Sequence, residues 1–143
     1  MPKIHRQSLV MHSAKQMYDL VNDIKSYPDF VPDCMDARVL SESEQNIKAS
    51  LQIGKAGIGK WFTTHNFMQP NSAVKIELVD GPFKQLTGVW KFIELDEESC
   101  QVSLDLEFEF SSKLIEMAFG SVFNHMANQM VRAFTKRAAQ VYS

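Results

Sequence analysis

Cysteine is scarce in this chain. Cys34 and Cys100 are its only two among 143 residues, and they offer neither paired metal-ligand spacing nor a framework of bridges, which points to a reducing compartment. No stretch approaches the roughly 20 apolar residues needed to span a bilayer, so any membrane role is expected to be peripheral. The opening Met-Pro-Lys-Ile-His-Arg lacks the apolar core of a secretory signal. Excess charge of one sign is missing too. Fifteen Lys and Arg against 17 Asp and Glu leave a net charge of −2, which provides no overall field for nucleic acid and no reason to expect DNA as a partner. A local basic patch remains open, because the cations need not be evenly spread.

Recognisable catalytic groupings are equally absent. His5 and His12 have opposite parity along the first stretch, His65 is on a strand, His125 is on the polar side of the final helix, and no pair has metal spacing. The run Gly54-Lys55-Ala56-Gly57-Ile58-Gly59-Lys60 has neither familiar phosphate-loop spacing and leads into a strand, so it reads as a hairpin. Asp105, Glu107 and Glu109 share the wet side of one strand, which suits a solvated face better than an acid–base pair.

What is present is a single domain, residues 1–143, organised around its end. From Ser112 to Tyr142, Ile115, Phe119, Val122, Phe123, Met126, Met130 and Phe134 recur at intervals of three or four and so share one helical face. Ser112 is placed to cap this helix. Glu116 lies near the positive end of its dipole, with Lys136 and Arg137 near the negative end. A helix roughly 45 Å long needs a broad cover, and strands are what remain to supply it. Residues 3–11 read as a strand. Ser13 with Gln16 fits a capping box before a short helix carrying Met17, Leu20, Val21 and Ile24, and Tyr27-Pro28 ends it, with a second short turn from Ser26.

From Asp33 to Phe110 the apolar period is two, clearest in Cys100, Val102, Leu104, Leu106, Phe108 and Phe110 against Gln101, Ser103, Asp105, Glu107 and Glu109. Turns are expected at Ser43 to Gln45, Gly54 to Gly57, Pro70 to Ser72, Asp80 to Pro82 and Asp96 to Ser99. About six strands there, with the first, predict an α+β fold: a curved antiparallel sheet of about seven strands wrapped around a long C-terminal helix. Where helix and curled sheet separate, an interior gap is expected. Phe119, Phe123, Met126 and Met130 from the helix would face Trp90, Phe92 and Phe108 from the sheet, and Gly88 leaves space on the face of Trp90. Filling a core is the competing use of the same residues. A stiff loop bearing Phe30, Val31 and Pro32 is a candidate mouth, or equally a lid packed on its own core.

At YPDFVPDC (Tyr27 to Cys34) and VDGPFKQLTGVW (Val79 to Trp90) the chain resembles the family of RatA-type ribosome-association toxins and coenzyme Q binding proteins, within the START-like polyketide cyclase superfamily. KAGIGKWFTTHN (Lys55 to Asn66) and DLEFEFSSKLIEMAFGSVF (Asp105 to Phe123) extend the likeness over nearly the whole chain, with the toxin branch nearer. Asp33 departs from the pattern, since relatives often carry Gly or Trp there. The resemblance implies the helix-grip fold, no catalytic residues, no obligate cofactor, a tunnel for ubiquinone or another isoprenoid lipid, and a link to respiration. The leading expectation is therefore a non-enzymatic, cytoplasmic binding protein, peripheral at most at the inner membrane, with Phe30, Val31, Pro32, Trp90, Phe92, Phe108, Phe119, Phe123, Met126 and Met130 around the ligand. The alternative is a toxin that binds the large ribosomal subunit and blocks subunit joining, for which Lys84, Lys113, Arg132, Lys136 and Arg137 are the candidate contacts. A polyketide cyclase is a third reading, whose acid and base residues do not map onto this chain.

Overall fold

The computed structural model describes residues 3–55 and 58–142. Its elements run β1 (Lys3–Val10), α1 (Ala14–Asn22), a 3-10 helix (Ile24–Asp29), β2 (Cys34–Glu42), β3 (Asn46–Lys55), β4 (Ile58–Gln69), β5 (Ala73–Asp80), β6 (Phe83–Asp96), β7 (Ser99–Phe110) and α2 (Lys113–Val141). The strands form one antiparallel sheet in the order β1-β7-β6-β5-β4-β3-β2. Consecutive strands from β2 to β7 are neighbours, and β1 closes against β7. The helical segment between β1 and β2 therefore carries the chain from one edge of the sheet to the other. Register shifts in the β2–β3, β4–β5 and β6–β7 pairings add local twist and help the sheet curl.

The expected capping box is present: the Ser13 hydroxyl accepts from the Gln16 amide while the Gln16 side chain accepts from the Ser13 amide. Helix α1 stops at Asn22, earlier than the Tyr27-Pro28 signal suggests, and the chain tightens into the 3-10 helix, which holds Pro28 inside it. At the far end, the Ser112 hydroxyl accepts from the Ile115 amide and starts α2. Of the expected turns, the one at Gly54 to Gly57 extends over residues 56 and 57, outside the described residues. Asp33, between the 3-10 helix and β2, has φ of 62°, a left-handed conformation that Gly adopts freely and Asp tolerates. The departure from the family pattern at this position is thus one that the backbone accommodates.

Helix α2 lies across the concave side of the sheet. Phe119, Phe123, Met126, Ala127, Met130, Val131, Phe134 and Ala138 are buried, whereas Ile115 and Val122 are half-buried. Its first turns extend beyond this cover, leaving Leu114 and Met117 exposed. The strand face opposite α2 supplies Val74, Leu86, Trp90, Phe92, Val102, Leu104, Leu106 and Phe108 to the same core. Each large side chain fully withdrawn from water contributes about 1.5–3 kcal/mol as an upper bound. No helix among the described residues is long and apolar enough to cross a membrane.

Candidate functional site: an apolar cavity and a basic groove on either side of the terminal helix

Two aromatic clusters close the ends of the space between α2 and the sheet. In one, Phe123 meets Phe83 and Phe108, both at 4.9 Å between ring centroids, with Phe62, Phe110 and Phe119 around them. In the other, Phe134 meets Phe30 at 4.9 Å and Tyr27 and Trp90 at 5.2 Å. Between them lies a cavity of about 60 Å3, lined by helix residues Phe123, Met126 and Met130 and by sheet residues including Ala49, Leu51, Ile76, Leu86, Trp90, Leu104 and Leu106. An apolar hole of roughly 150 Å3 is what accommodates a benzene ring. The cavity as it stands is therefore too small for a quinone ring with its prenyl tail.

Its wall side chains are hydrocarbon apart from Thr64, Asn66, Tyr27 and the indole nitrogen of Trp90. The Thr64 hydroxyl donates to the Asn66 side-chain oxygen at 2.9 Å, and the Tyr27 hydroxyl donates to the Val21 carbonyl. Burial pushes the Tyr27 pKa well above the usual tyrosine range, and it is the one ionisable group on the described wall. No described wall residue thus exchanges a proton near neutral pH. Both thiols belong to the core, and burial pushes Cys34 and Cys100 up to about 11, which disfavours the thiolate near neutral pH.

Of the aromatic and Met residues singled out in the sequence, Trp90, Phe123, Met126 and Met130 line the cavity. Phe92, Phe108 and Phe119 are buried outside its wall. Val31 is buried with its amide donating to the Tyr27 carbonyl at 2.8 Å, and Phe30 is half-buried against Phe134. With half-buried Pro32, these loop residues pack over one end of the core and do not line the cavity. Gly88 also differs from expectation. It leaves no void: a Cβ there would stand 2.6 Å from Leu106 Cδ2, so Leu106 already fills the space. The polar pair Thr64–Asn66 and the small Ala49 were missed. Their inward parity on β3 and β4 was the available signal, but polar residues at inward positions read as interruptions of the apolar pattern.

On the other flank of α2, against edge strand β1, lies a groove of about 420 Å3 lined by Arg6, Gln7, Ser8, Asn128, Val131, Arg132, Thr135 and Lys136. Asn128, Arg132 and Lys136 recur every four residues and so form one ridge of the helix. Arg6 is steered into the groove by donating to the Asn128 side-chain oxygen, while Asn128 itself donates to the Asn124 carbonyl at 2.8 Å. The lining thus holds three cations, several uncharged hydrogen-bonding groups and no carboxylate. Among the described residues none of the three makes an ion pair. The other cations proposed from sequence do not join them. Lys84 pairs with Glu109 at 3.4 Å, Arg137 lies over the Phe30 ring at 5.1 Å, and Lys113 stands at the opposite end of α2, roughly 28 Å from Arg132 along the axis. Arg6 was missed because a lone basic residue in a strand carries no periodic signal.

Residues 10–135 match the family described as polyketide cyclase / dehydrase and lipid transport. The chain is 53% identical over 142 residues to the ribosome association toxin RatA of Vibrio cholerae serotype O1, covering 99% of each chain. It is 51% identical over 143 residues to the RatA of Escherichia coli K12, covering all of this chain and 90% of that one. A more distant relative is the mitochondrial coenzyme Q-binding protein COQ10 homolog B of Xenopus laevis, 31% identical over 134 residues, covering 91% of this chain and 55% of that one. In fold, the chain is similar to the Zhui aromatase/cyclase of a Streptomyces species, with a TM-score of 0.84 at 16% identity over 99% of this chain and 96% of that one. It is likewise similar to a START superfamily protein of Mycobacterium smegmatis, with a TM-score of 0.76 at 19% identity over 97% and 98%.

Proposed function

The chain belongs to the polyketide cyclase / dehydrase and lipid transport family, in the group of RatA toxins and coenzyme Q-binding proteins, and from that membership we propose that it is a non-enzymatic protein that binds the large ribosomal subunit and hinders subunit joining. The observation that carries this reading is the groove of Arg6, Arg132 and Lys136, free of carboxylates, on a chain whose net charge is −2. Cations held together against the overall charge suit a phosphate-rich surface, and uncharged Ser8, Asn128 and Thr135 add donors for phosphate and sugar oxygens. Neutralising phosphates releases counterions, so binding weakens as salt rises. Sedimentation of the protein with purified large subunits across a salt series tests this. The doubly substituted Arg132→Gln/Lys136→Gln protein is expected to bind more weakly, with a salt slope shallower by about 2. Equal binding at every salt concentration would remove the groove from the reading, and no sedimentation of the unmodified protein would remove the ribosome.

The cavity favours a second reading, binding of an apolar ligand such as ubiquinone. Its hydrocarbon wall would gain about 25 cal/mol for each Å2 of ligand surface buried, less the cost of ordering. At about 60 Å3, entry of an isoprenoid quinone requires α2 or the Phe30 to Pro32 loop to move outward. Mass spectrometry of an organic extract of the purified protein, with quinone added back, is the measurement. A protein free of lipid and unable to take up quinone refutes this second role and leaves the first untouched. A wall without an acid or base near neutral pH supports binding over turnover of a polyketide.

A further inference from the structure

The convex face of the sheet carries a second feature that neither the cavity nor the groove uses. In the strand register Phe67 stands opposite Lys75, and Lys75 opposite Val89. In the next row Gln69 stands opposite Ala73, and Ala73 opposite Lys91. These residues enclose a slot of about 290 Å3. Phe67 is 38% exposed, the one aromatic among the exposed large hydrophobic side chains of the described residues. One of its ring faces is covered by His65, stacked at 4.2 Å with 28° between the planes. Phe67 borders the slot together with Gln69 and Ala73, so the ring face turned away from His65 is the one left for a ligand. Ala73 is small and keeps the floor low. Lys75 and Lys91 are exposed, and among the described residues neither is ion-paired. Glu44 lines a neighbouring depression that shares Phe67 with the slot, but it is not part of the slot lining. Asp105, beyond Val89, is bound to His5 at 2.5 Å, and Glu77 stands opposite His65.

We propose that this slot holds one unpaired nucleobase of RNA, stacked on Phe67 as the third ring of a His65–Phe67–base column, with the flanking phosphates on Lys75 and Lys91. The volume of about 290 Å3 exceeds the roughly 150 Å3 that houses a benzene ring, which is room for one planar base. A flat aromatic with lysines at its margin is the arrangement by which sheet surfaces hold single strands with little sequence preference. A duplex cannot use it, because paired bases have no free face to offer. The slot deepens the ribosome reading and rests on it only for the source of the RNA, an unpaired loop of the large subunit.

The test uses the full chain and an unstructured ten-nucleotide RNA carrying one 2-aminopurine, whose fluorescence falls when it stacks. The unmodified protein is expected to bind and quench it. Phe67→Leu, which keeps apolar bulk and removes the ring, is expected to abolish quenching and weaken binding roughly 5- to 150-fold, while Phe67→Tyr retains both. Lys75→Gln/Lys91→Gln is expected to lower the salt slope by about 1.4. Thermal melts followed by circular dichroism check that each variant is folded. Absence of quenching with the unmodified protein, or unchanged binding by a folded Phe67→Leu protein, overturns the slot. Sedimentation with large subunits separates the two readings. Quenching without sedimentation keeps the slot and discards the ribosome as the RNA source, and sedimentation without quenching does the reverse.

Discussion

Truncating Met126 to alanine measures how the interior beside the cavity is held. Met126 is 2% exposed and forms part of the cavity wall. Met126→Ala removes three buried heavy atoms, for which the transfer cost is about 2.4 kcal/mol at roughly 0.8 kcal/mol each. If the surroundings stay in place, about 65 Å3 of new void adds about 1.5 kcal/mol at 24 cal/mol per Å3. The expected loss is therefore about 2.5–4 kcal/mol, the lower figure applying if Met130 and Leu106 lean into the space. At about 3 °C per kcal/mol for a chain of this size, the Tm falls by roughly 8–12 °C. The enlarged hole approaches the size that admits benzene. Urea denaturation gives the free energy, and a melt in benzene-saturated buffer gives the second readout: the variant should recover several degrees and the unmodified protein almost none. A loss below about 1 kcal/mol, or no recovery with benzene, would show that Met126 does not border a persistent void, and the geometry on which the ligand reading depends would be wrong.

Gly88→Ala should drive Leu106 toward the cavity, because the new Cβ would stand 2.6 Å from Leu106 Cδ2; with space beyond, the cost should stay near 1 kcal/mol, the low end for overpacking, and a loss above 3 kcal/mol in urea denaturation would mean that Leu106 has nowhere to go. Tyr27→Phe leaves the buried Val21 carbonyl without its donor, so a loss of about 1–3 kcal/mol is expected by the same measurement; no loss would mean that the carbonyl finds another partner. His5 titrates above the ordinary value of 6.5 because Asp105 hydrogen-bonds it and attracts its charge. Its contribution to stability is then fully present below that value and fades as pH rises through the raised pKa. An NMR titration should show the His5 midpoint fall in Asp105→Asn, and an unchanged midpoint would remove the pairing as the cause.

Much of the architecture is legible in the order of the residues. A three-four apolar rhythm from Ile115 to Phe134, the capping groups Ser13 and Ser112, and the strict alternation from Cys100 to Phe110 each depend on neighbours close in sequence, and each reappears in the structure. Periodicity indicates which face of an element turns inward, and that suffices to place α2 against a half-apolar sheet. On the same ground Trp90, Phe123, Met126 and Met130 were expected on inward faces, with core and cavity as competing uses, and in the structure they line the cavity. What periodicity cannot convey is distance across the interior. Whether Gly88 opens a void or receives Leu106, whether Phe92 and Phe108 face space or one another's neighbours, and whether Phe30 and Val31 form a mouth or a plug depend on side chains from elements far apart in the chain. The same holds at the surface. Arg6 meets Arg132 and Lys136 because β1 pairs with β7 at the sheet edge beneath α2, and Phe67 meets Lys75 and Lys91 through the register of three strands. The elements and their inward faces follow from residues a few positions apart, since local periodicity encodes them. The size of the hollow and the grouping of the charges arise on packing, because both depend on how far apart the folded elements come to rest.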